Sequence, residues 1–140
     1  LGHVVVRPGG RKCGCGRRGC LEAEASASAI ESRYREATGD AVSAAGVASL
    51  AAAGEPVAAA VWGEAIEALA DGLVSASALL DPQVIVVGGG LAQAGDTLFT
   101  PLRAALEARG SFLPRPEVVP AKLGDEAGCH GAALLAQALR

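Results

Sequence analysis

Three of the four cysteines in this 140-residue sequence crowd between Cys13 and Cys20, and a histidine stands shortly before them. The spacing is His3-x9-Cys13-x-Cys15-x4-Cys20. Zinc takes four nitrogen or sulfur ligands in a tetrahedron. Three thiolates and one imidazole complete that set and leave no open position, so the expected site is structural rather than hydrolytic. A Cys-x-Cys pair is too close to form an easy disulfide with itself. Gly14, Gly16 and Gly19 let the backbone turn tightly enough to gather the sulfurs. Three thiolates and Zn2+ carry a formal charge of about −1, which Arg11, Lys12, Arg17 and Arg18 would offset. Two other readings stay open on spacing alone: the cysteines are free thiols, or Cys129 replaces His3 as the fourth ligand. The crowding suits a metal better than a disulfide framework. With no leader segment visible, a reducing, cytoplasmic setting is expected.

Other residues could carry chemistry with less to recommend them. Glu22 opens a helix, where the dipole alone favours a carboxylate. Gly88-Gly89-Gly90 follows a strand-like run, a place where α/β folds often meet a ligand. The run fails the dinucleotide fingerprint, because Gln93 stands where a third Gly is needed, and no Gly-Lys-Ser/Thr phosphate loop occurs. A tight turn with close strand-helix packing explains it as well. Cys129-His130 could suggest a nucleophile and base. Adjacent residues on a helix start point apart, so incidental packing is the better reading. Trp62 could stack on a sugar, but a lone Trp on a long helix belongs more often to the core or an interface.

The elements that must position these residues follow from periodicity and breakers. Val4-Val5-Val6 reads as a short strand, and a Gly-, Arg- and Cys-rich loop runs from Arg7 to Cys20. Helix is expected from Leu21 to about Ala37, stopped at Gly39, and again from Ser43 to Ala53. The longest helix starts at Pro56, a residue suited to a first helical position. Its apolar face recurs at Val57, Val61, Ile66, Leu69, Leu73 and Leu80, and Asp81-Pro82 ends it. Val84 to Val87 reads as a buried parallel strand. A helix from about Asp96 to Ala108, interrupted or restarted at Pro101, a strand from Glu117 to Pro120 and a helix from about Ala127 to Leu139 complete the order. Alternating helix and strand implies an α/β layer with a parallel sheet. Two strands and a stub make a thin sheet with an unpaired edge, so further strands are expected before Leu1.

Composition narrows the class. Slightly more than half the residues are apolar and very few are aromatic, which implies an aliphatic core in one domain. A net charge of −3 argues against a general nucleic-acid binder. No uncharged apolar stretch is long enough for a membrane span. The sequence contains no Met and begins at Leu1, so it is expected to be a piece of a longer protein.

Gly2-His3, then Cys13-Gly14-Cys15-Gly16-Arg17-Arg18-Gly19-Cys20-Leu21-Glu22, resembles the signature of the ROK family (repressors, open reading frames, sugar kinases). That signature is Glu-x-Gly-His, nine residues, then Cys-x-Cys-Gly-x-x-Gly-Cys-x-Glu. The strand and glycines at Val84 to Gly90, Gly95-Asp96, Pro101-Leu102, and Leu123-Gly124 through Gly131-Ala132-Ala133 resemble the family's C-terminal half.

The resemblance implies part of an actin-like (ribonuclease-H-like) ATPase domain with a zinc-binding loop at residues 3–20 and inserted helices. It makes 1–140 the C-terminal lobe of a ROK-type sugar kinase, the N-terminal lobe lying outside the chain. Such kinases move the γ-phosphate of ATP, with Mg2+, to a hexose, most often to the 6-hydroxyl of glucose. The implied metal ligands are His3, Cys13, Cys15 and Cys20. His3 and Glu22 are the implied sugar contacts, and Gly88, Gly89 and Gly90 the implied nucleotide turn. No catalytic residue is expected here: the general base and the phosphate loop belong upstream of Leu1, so the isolated chain is expected to be inactive. Family members commonly dimerise, and Pro56–Leu80 offers apolar surface for that. Two alternatives are a sugar-responsive ROK repressor, whose winged helix would bind DNA, and a non-catalytic zinc-stabilised interaction domain.

Overall fold

The structure, a computed structural model, describes residues 1–110 and 116–138, with the side chain of Asp125 left aside. Phe112 and Leu139 therefore lie outside the described residues. After the loop at the start come α1 (Leu21–Ala25), α2 (Ala27–Thr38), α3 (Ala44–Ala52) and α4 (Pro56–Leu80). Then follow β1 (Val84–Val87), a 3-10 turn (Gly90–Ala94), α5 (Asp96–Ala108), β2 (Glu117–Pro120), a second 3-10 turn (Gly124–Glu126) and α6 (Ala127–Ala138).

Helix α4 is the axis on which the rest is hung. Glu55 caps its N-terminus, its carboxylate accepting from the Val57 and Ala58 N–H groups at 3.1 and 2.5 Å. Pro56 occupies the first turn, and Asp81 ends the helix in the left-handed region at φ 44. Small residues let its neighbours approach closely. Ala58, Ala65, Ala68, Ala70 and Gly72 are all buried. A Cβ on Gly72 would stand 2.7 Å from Leu21 Cδ2, so α1 rests directly on that backbone. Helices α1, α2, α3 and α5 all pack on α4, and Ile30, Val47, Leu98 and Leu102 are fully enclosed.

Pro101 lies inside α5 without ending it. A proline has no N–H to give to the carbonyl four residues back. That acceptor, Thr97 O, is taken by the indole N–H of Trp62 at 3.0 Å. Trp62 is thus a core residue that also repairs the neighbouring helix.

The sheet consists of β1 and β2 in parallel, with Val84 opposite Glu117 and Val87 opposite Pro120. Joined by α5, they form one βαβ unit.

Three sequence expectations are corrected. Val4 to Val6 form no strand: Val5 makes an isolated antiparallel bridge to Cys20, and Val6 and Arg7 both donate to Gly19 O. The helix expected from Leu21 to Ala37 breaks at Ser26, whose hydroxyl accepts from Ala29 N at 3.2 Å and restarts the chain as α2. A serine side chain competes with helix continuation in this way. β1 is not buried on both faces: Val84 and Val86 are 47% and 62% exposed. The helices cover the Ile85–Val87 side, while the described residues of α6 are themselves exposed, Leu134 and Leu135 included. No single helix among the described residues is long and apolar enough to cross a membrane.

Candidate metal centre and sugar pocket

The loop before α1 folds into two short antiparallel contacts, Val5 with Cys20 and Lys12 with Arg18. Between the latter pair the chain reverses. Cys13 N donates to Arg17 O at 2.8 Å and Gly16 N to Cys13 O at 3.0 Å, with Gly16 at φ 88. Gly19 admits no side chain, because a Cβ there would collide with the Arg7 carbonyl. The first residues lie alongside this turn: Leu21 N donates to Val4 O at 2.9 Å and Glu22 N to Gly2 O at 2.8 Å. Those two bonds bring His3 to the cysteine turn and to the first turn of α1.

The result gathers one atom from each of His3, Cys13, Cys15 and Cys20 within 4.8 Å of one another. His3 Nδ1 lies 3.6 Å from Cys13 Sγ, and Cys15 Sγ lies 3.6 Å from Cys20 Sγ. A tetrahedral zinc with bonds of about 2.0 Å to nitrogen and 2.3 Å to sulfur requires ligand separations of roughly 3.5–3.8 Å. The four residues therefore fit the metal in ligand type and number, and the two 3.6 Å separations match its spacing. Cys129 stands exposed on α6 and is not part of this group, which disfavours it as the fourth ligand. Cys13 and Cys20 are buried and Cys15 is exposed.

The protein sets the cysteines apart electrostatically. The Arg17 peptide N–H and then its guanidinium hold the Cys15 thiol down to about 6, while desolvation pushes Cys20 up to about 11. The arginine favours the thiolate at Cys15, and burial disfavours it at Cys20. Of the four basic residues expected to offset the thiolates, Arg17 acts at the site; its Nη2 also donates to His3 O at 2.8 Å. Arg11 instead pairs with Glu36, at 3.2 and 2.9 Å, and Arg18 Nε donates to Gly9 O at 3.3 Å.

His3 and Glu22 meet on the rim of this centre. Their Nδ1 and Oε2 are 3.6 Å apart, and both side chains are about half exposed. They border an open cavity of about 790 Å³ whose other walls include Lys12, Ser26, Ser28 and Ser32. A carboxylate acceptor beside a fixed imidazole suits a polyhydroxylated ligand, since both groups can engage hydroxyls.

The glycine run sits elsewhere. Gly88 is held close to β2, where a Cβ would come within 3.1 Å of Ala121 Cβ, and Gly89 adopts φ 78. Those two have structural reasons to be glycine. Gly90 lines a separate cavity of about 270 Å³ together with Leu91, Ala45, Ser49 and Thr97. Cys129 and His130 are exposed on α6, and the His130 ring lies 3.7 Å from Glu126 Oε2.

Two buried charged residues near the metal centre escaped the sequence reading, Glu24 and Arg33, each 5% exposed. The available signal was periodicity: Arg33 falls between Ile30 and Tyr34 on the inward stripe of α2.

The family model described as "ROK family" matches residues 1–139. The chain is 36% identical over 149 residues to a glucokinase of Thermotoga maritima, covering 95% of this chain and 47% of that protein. It is 40% identical over 127 residues to an N-acetyl-D-glucosamine kinase of Pasteurella multocida, covering 88% and 40%. Among solved structures it is similar to a ROK family glucokinase from Streptomyces griseus in complex with glucose and AMPPNP. That similarity has a TM-score of 0.82 at 31% identity and covers 96% of this chain and 49% of the other. It is also similar to a ROK family transcriptional regulator, a homologue of the E. coli MLC protein. There the TM-score is 0.79 at 28% identity, with coverages of 99% and 38%. The chain spans about half the length of the glucokinase relatives it matches.

Proposed function

This chain belongs to the ROK family and has the actin-like ATPase fold of that family's sugar kinases, and from that premise we propose that it is the C-terminal lobe of a hexose kinase. The reaction is transfer of the γ-phosphate of ATP, with Mg2+, to a sugar hydroxyl, and glucose is the leading substrate. One observation carries this reading: His3 and Glu22 stand 3.6 Å apart on the rim of a four-ligand metal centre and open onto a cavity.

Cys13, Cys15, Cys20 and His3 would hold Zn2+. When bound, the metal fixes the orientation and tautomer of the imidazole and leaves phosphoryl chemistry to other groups. With Nδ1 turned toward Cys13, Nε2 is the ring atom left for a sugar hydroxyl. Glu22 accepts hydroxyl protons beside it, a charge-assisted pairing that orients the sugar. We assign the nucleotide to the turn at Gly88 and Gly89 and to the cavity that Gly90 borders. Phosphoryl transfer also needs a group to orient and deprotonate the attacking hydroxyl. We assign that base, and the phosphate loop, to the part of the protein outside residues 1–140. The open Val84–Val86 face of β1 and the length of the relatives support reading the chain as one lobe. A homo-oligomer and a cytoplasmic location belong to the same proposal.

The similarity to a transcriptional regulator favours one second reading, a sugar-responsive repressor with the same pocket. The full-length protein, assayed for ATP consumption over a panel containing glucose, N-acetylglucosamine, mannose and fructose, separates the two. A kinase turns over with glucose at the highest kcat/KM, and the 140-residue chain alone does not turn over. Sugar binding without turnover on any member of the panel would remove the kinase assignment and leave the repressor.

A further inference from the structure

The five residues of α1 present their acidic groups in opposite ways. Glu22 is half exposed at the sugar rim, whereas Glu24 is buried under the preceding loop. Burying a carboxylate is costly unless strong donors meet it. Here Glu24 Oε1 accepts from the backbone N–H of Arg11 at 2.8 Å. It lies so close beneath Gly10 that a Cβ on Gly10 would collide with it.

Arg11 is the point where the loop is tied together. Its N–H goes to Glu24, its carbonyl accepts from Gly19 N at 2.8 Å, and its guanidinium grips Glu36 on α2. Cys13 lies two residues after Arg11, and Cys20 is the residue after Gly19. Through the peptide groups on its two sides, Arg11 therefore sets the segment bearing Cys13 against the segment bearing Cys20. Glu24 is in turn braced from behind. Buried Arg33 donates from Nη1 to the Glu24 carbonyl at 3.0 Å and pairs through Nη2 with Glu64 of α4. The chain of contacts runs from α4 through α2 and α1 to the metal loop. Neither Glu24 nor Arg33 belongs to the four-ligand group.

We propose that Glu24 is a positioning residue for the metal centre: by holding the Arg11 peptide it fixes the separation of Cys13 and Cys20, and so the ring of His3. This rests on the reading of His3, Cys13, Cys15 and Cys20 as zinc ligands. Partners that orient a metal's ligands typically change its affinity about 10- to 100-fold when removed.

The test uses the full-length zinc-loaded protein and a chromogenic chelator that competes for Zn2+. Wild type, E24Q and E24A are compared at matched helical circular dichroism and unfolding midpoint. Zinc affinity should fall at least about tenfold in E24A and stay within about twofold of wild type in E24Q, whose amide oxygen still accepts from Arg11 N–H. If E24A fails to fold, E24D, whose carboxylate stops one methylene short of that N–H, is expected to show the same loss. Equal zinc affinity in E24A, or E24D in its place, and wild type would overturn the proposal. So would an equal loss in E24Q and E24A, which would assign the effect to charge rather than to the acceptor. A wild type that binds no zinc would instead sink the metal reading itself, and the inference with it.

Discussion

The loop and helices before Pro82 and the βαβ unit with α6 after it are built from similar proportions of small and aliphatic residues, yet they finish differently. In the first region the charged side chains that enter the interior find partners: Arg33 meets Glu64 and the Glu24 carbonyl, and Glu24 meets the Arg11 N–H. Most of its apolar residues pack around α4, in a core shared with α5 and Val118 of β2, while Leu79 and Leu80 at the end of α4 stand exposed. In the second, β1 has one covered face and one open face, and Leu123, Leu134 and Leu135 are more than half exposed. The first region is a packed support for the candidate site, completed on one side by α5. The second is a layer with one open surface, and a contiguous exposed apolar surface of that kind marks an interaction site. Trp62, reaching from α4 to the Thr97 carbonyl, is one of the links between them.

The largest expected effect comes from breaking the metal centre. Cys13→Ser removes a buried ligand, and because metal binding and loop folding are one event, the variant should bind no zinc at stoichiometric concentrations. Hexose affinity should fall with it, since His3 loses its fixed orientation. Metal analysis and calorimetry with glucose on the full-length variant check both. Retained sugar affinity in a zinc-free variant would separate the pocket from the metal.

A smaller effect sharpens the contrast between covered and open surface. Leu98 is fully buried in α5, so Leu98→Ala should destabilise by about 2–5 kcal/mol. Leu134 on α6 is 67% exposed, so Leu134→Ala in this chain alone should stay within about 0.5 kcal/mol. Urea unfolding of the two variants measures the difference. Measured again in the longer protein, the Leu134 effect should grow, because the proposed second lobe covers that side. An unchanged value there would mean that α6 faces solvent in the complete molecule.

How much of this was legible in sequence varied with how local the cause was. The ends of α4 were readable from Pro56 and Asp81-Pro82, and β2 from its β-branched pair before Pro120, because local backbone chemistry decides such boundaries. The grouping of His3, Cys13, Cys15 and Cys20 was legible because the residues are close in sequence and of one chemical kind, and the fold gathers them within 4.8 Å. The Val4–Val6 stretch misled because β-branched residues favour extended backbone, while strand formation needs a partner edge, and the partner offered only Cys20. The break at Ser26 turned on whether a hydroxyl would cap or continue a helix. Glu24 and Arg33 were invisible for a different reason: a charged residue reads as surface until a partner distant in sequence, such as Glu64 on α4, accounts for its burial.

The central claim is that one imidazole belongs both to the metal and to the sugar pocket, and zinc-edge X-ray absorption on the full-length protein tests it most directly. Three sulfur ligands at about 2.3 Å and one nitrogen at about 2.0 Å are expected, with the nitrogen signal lost in His3→Ala and glucose binding lost alongside it. Four sulfur ligands, or a His3→Ala protein that keeps both its zinc spectrum and its glucose affinity, would contradict it.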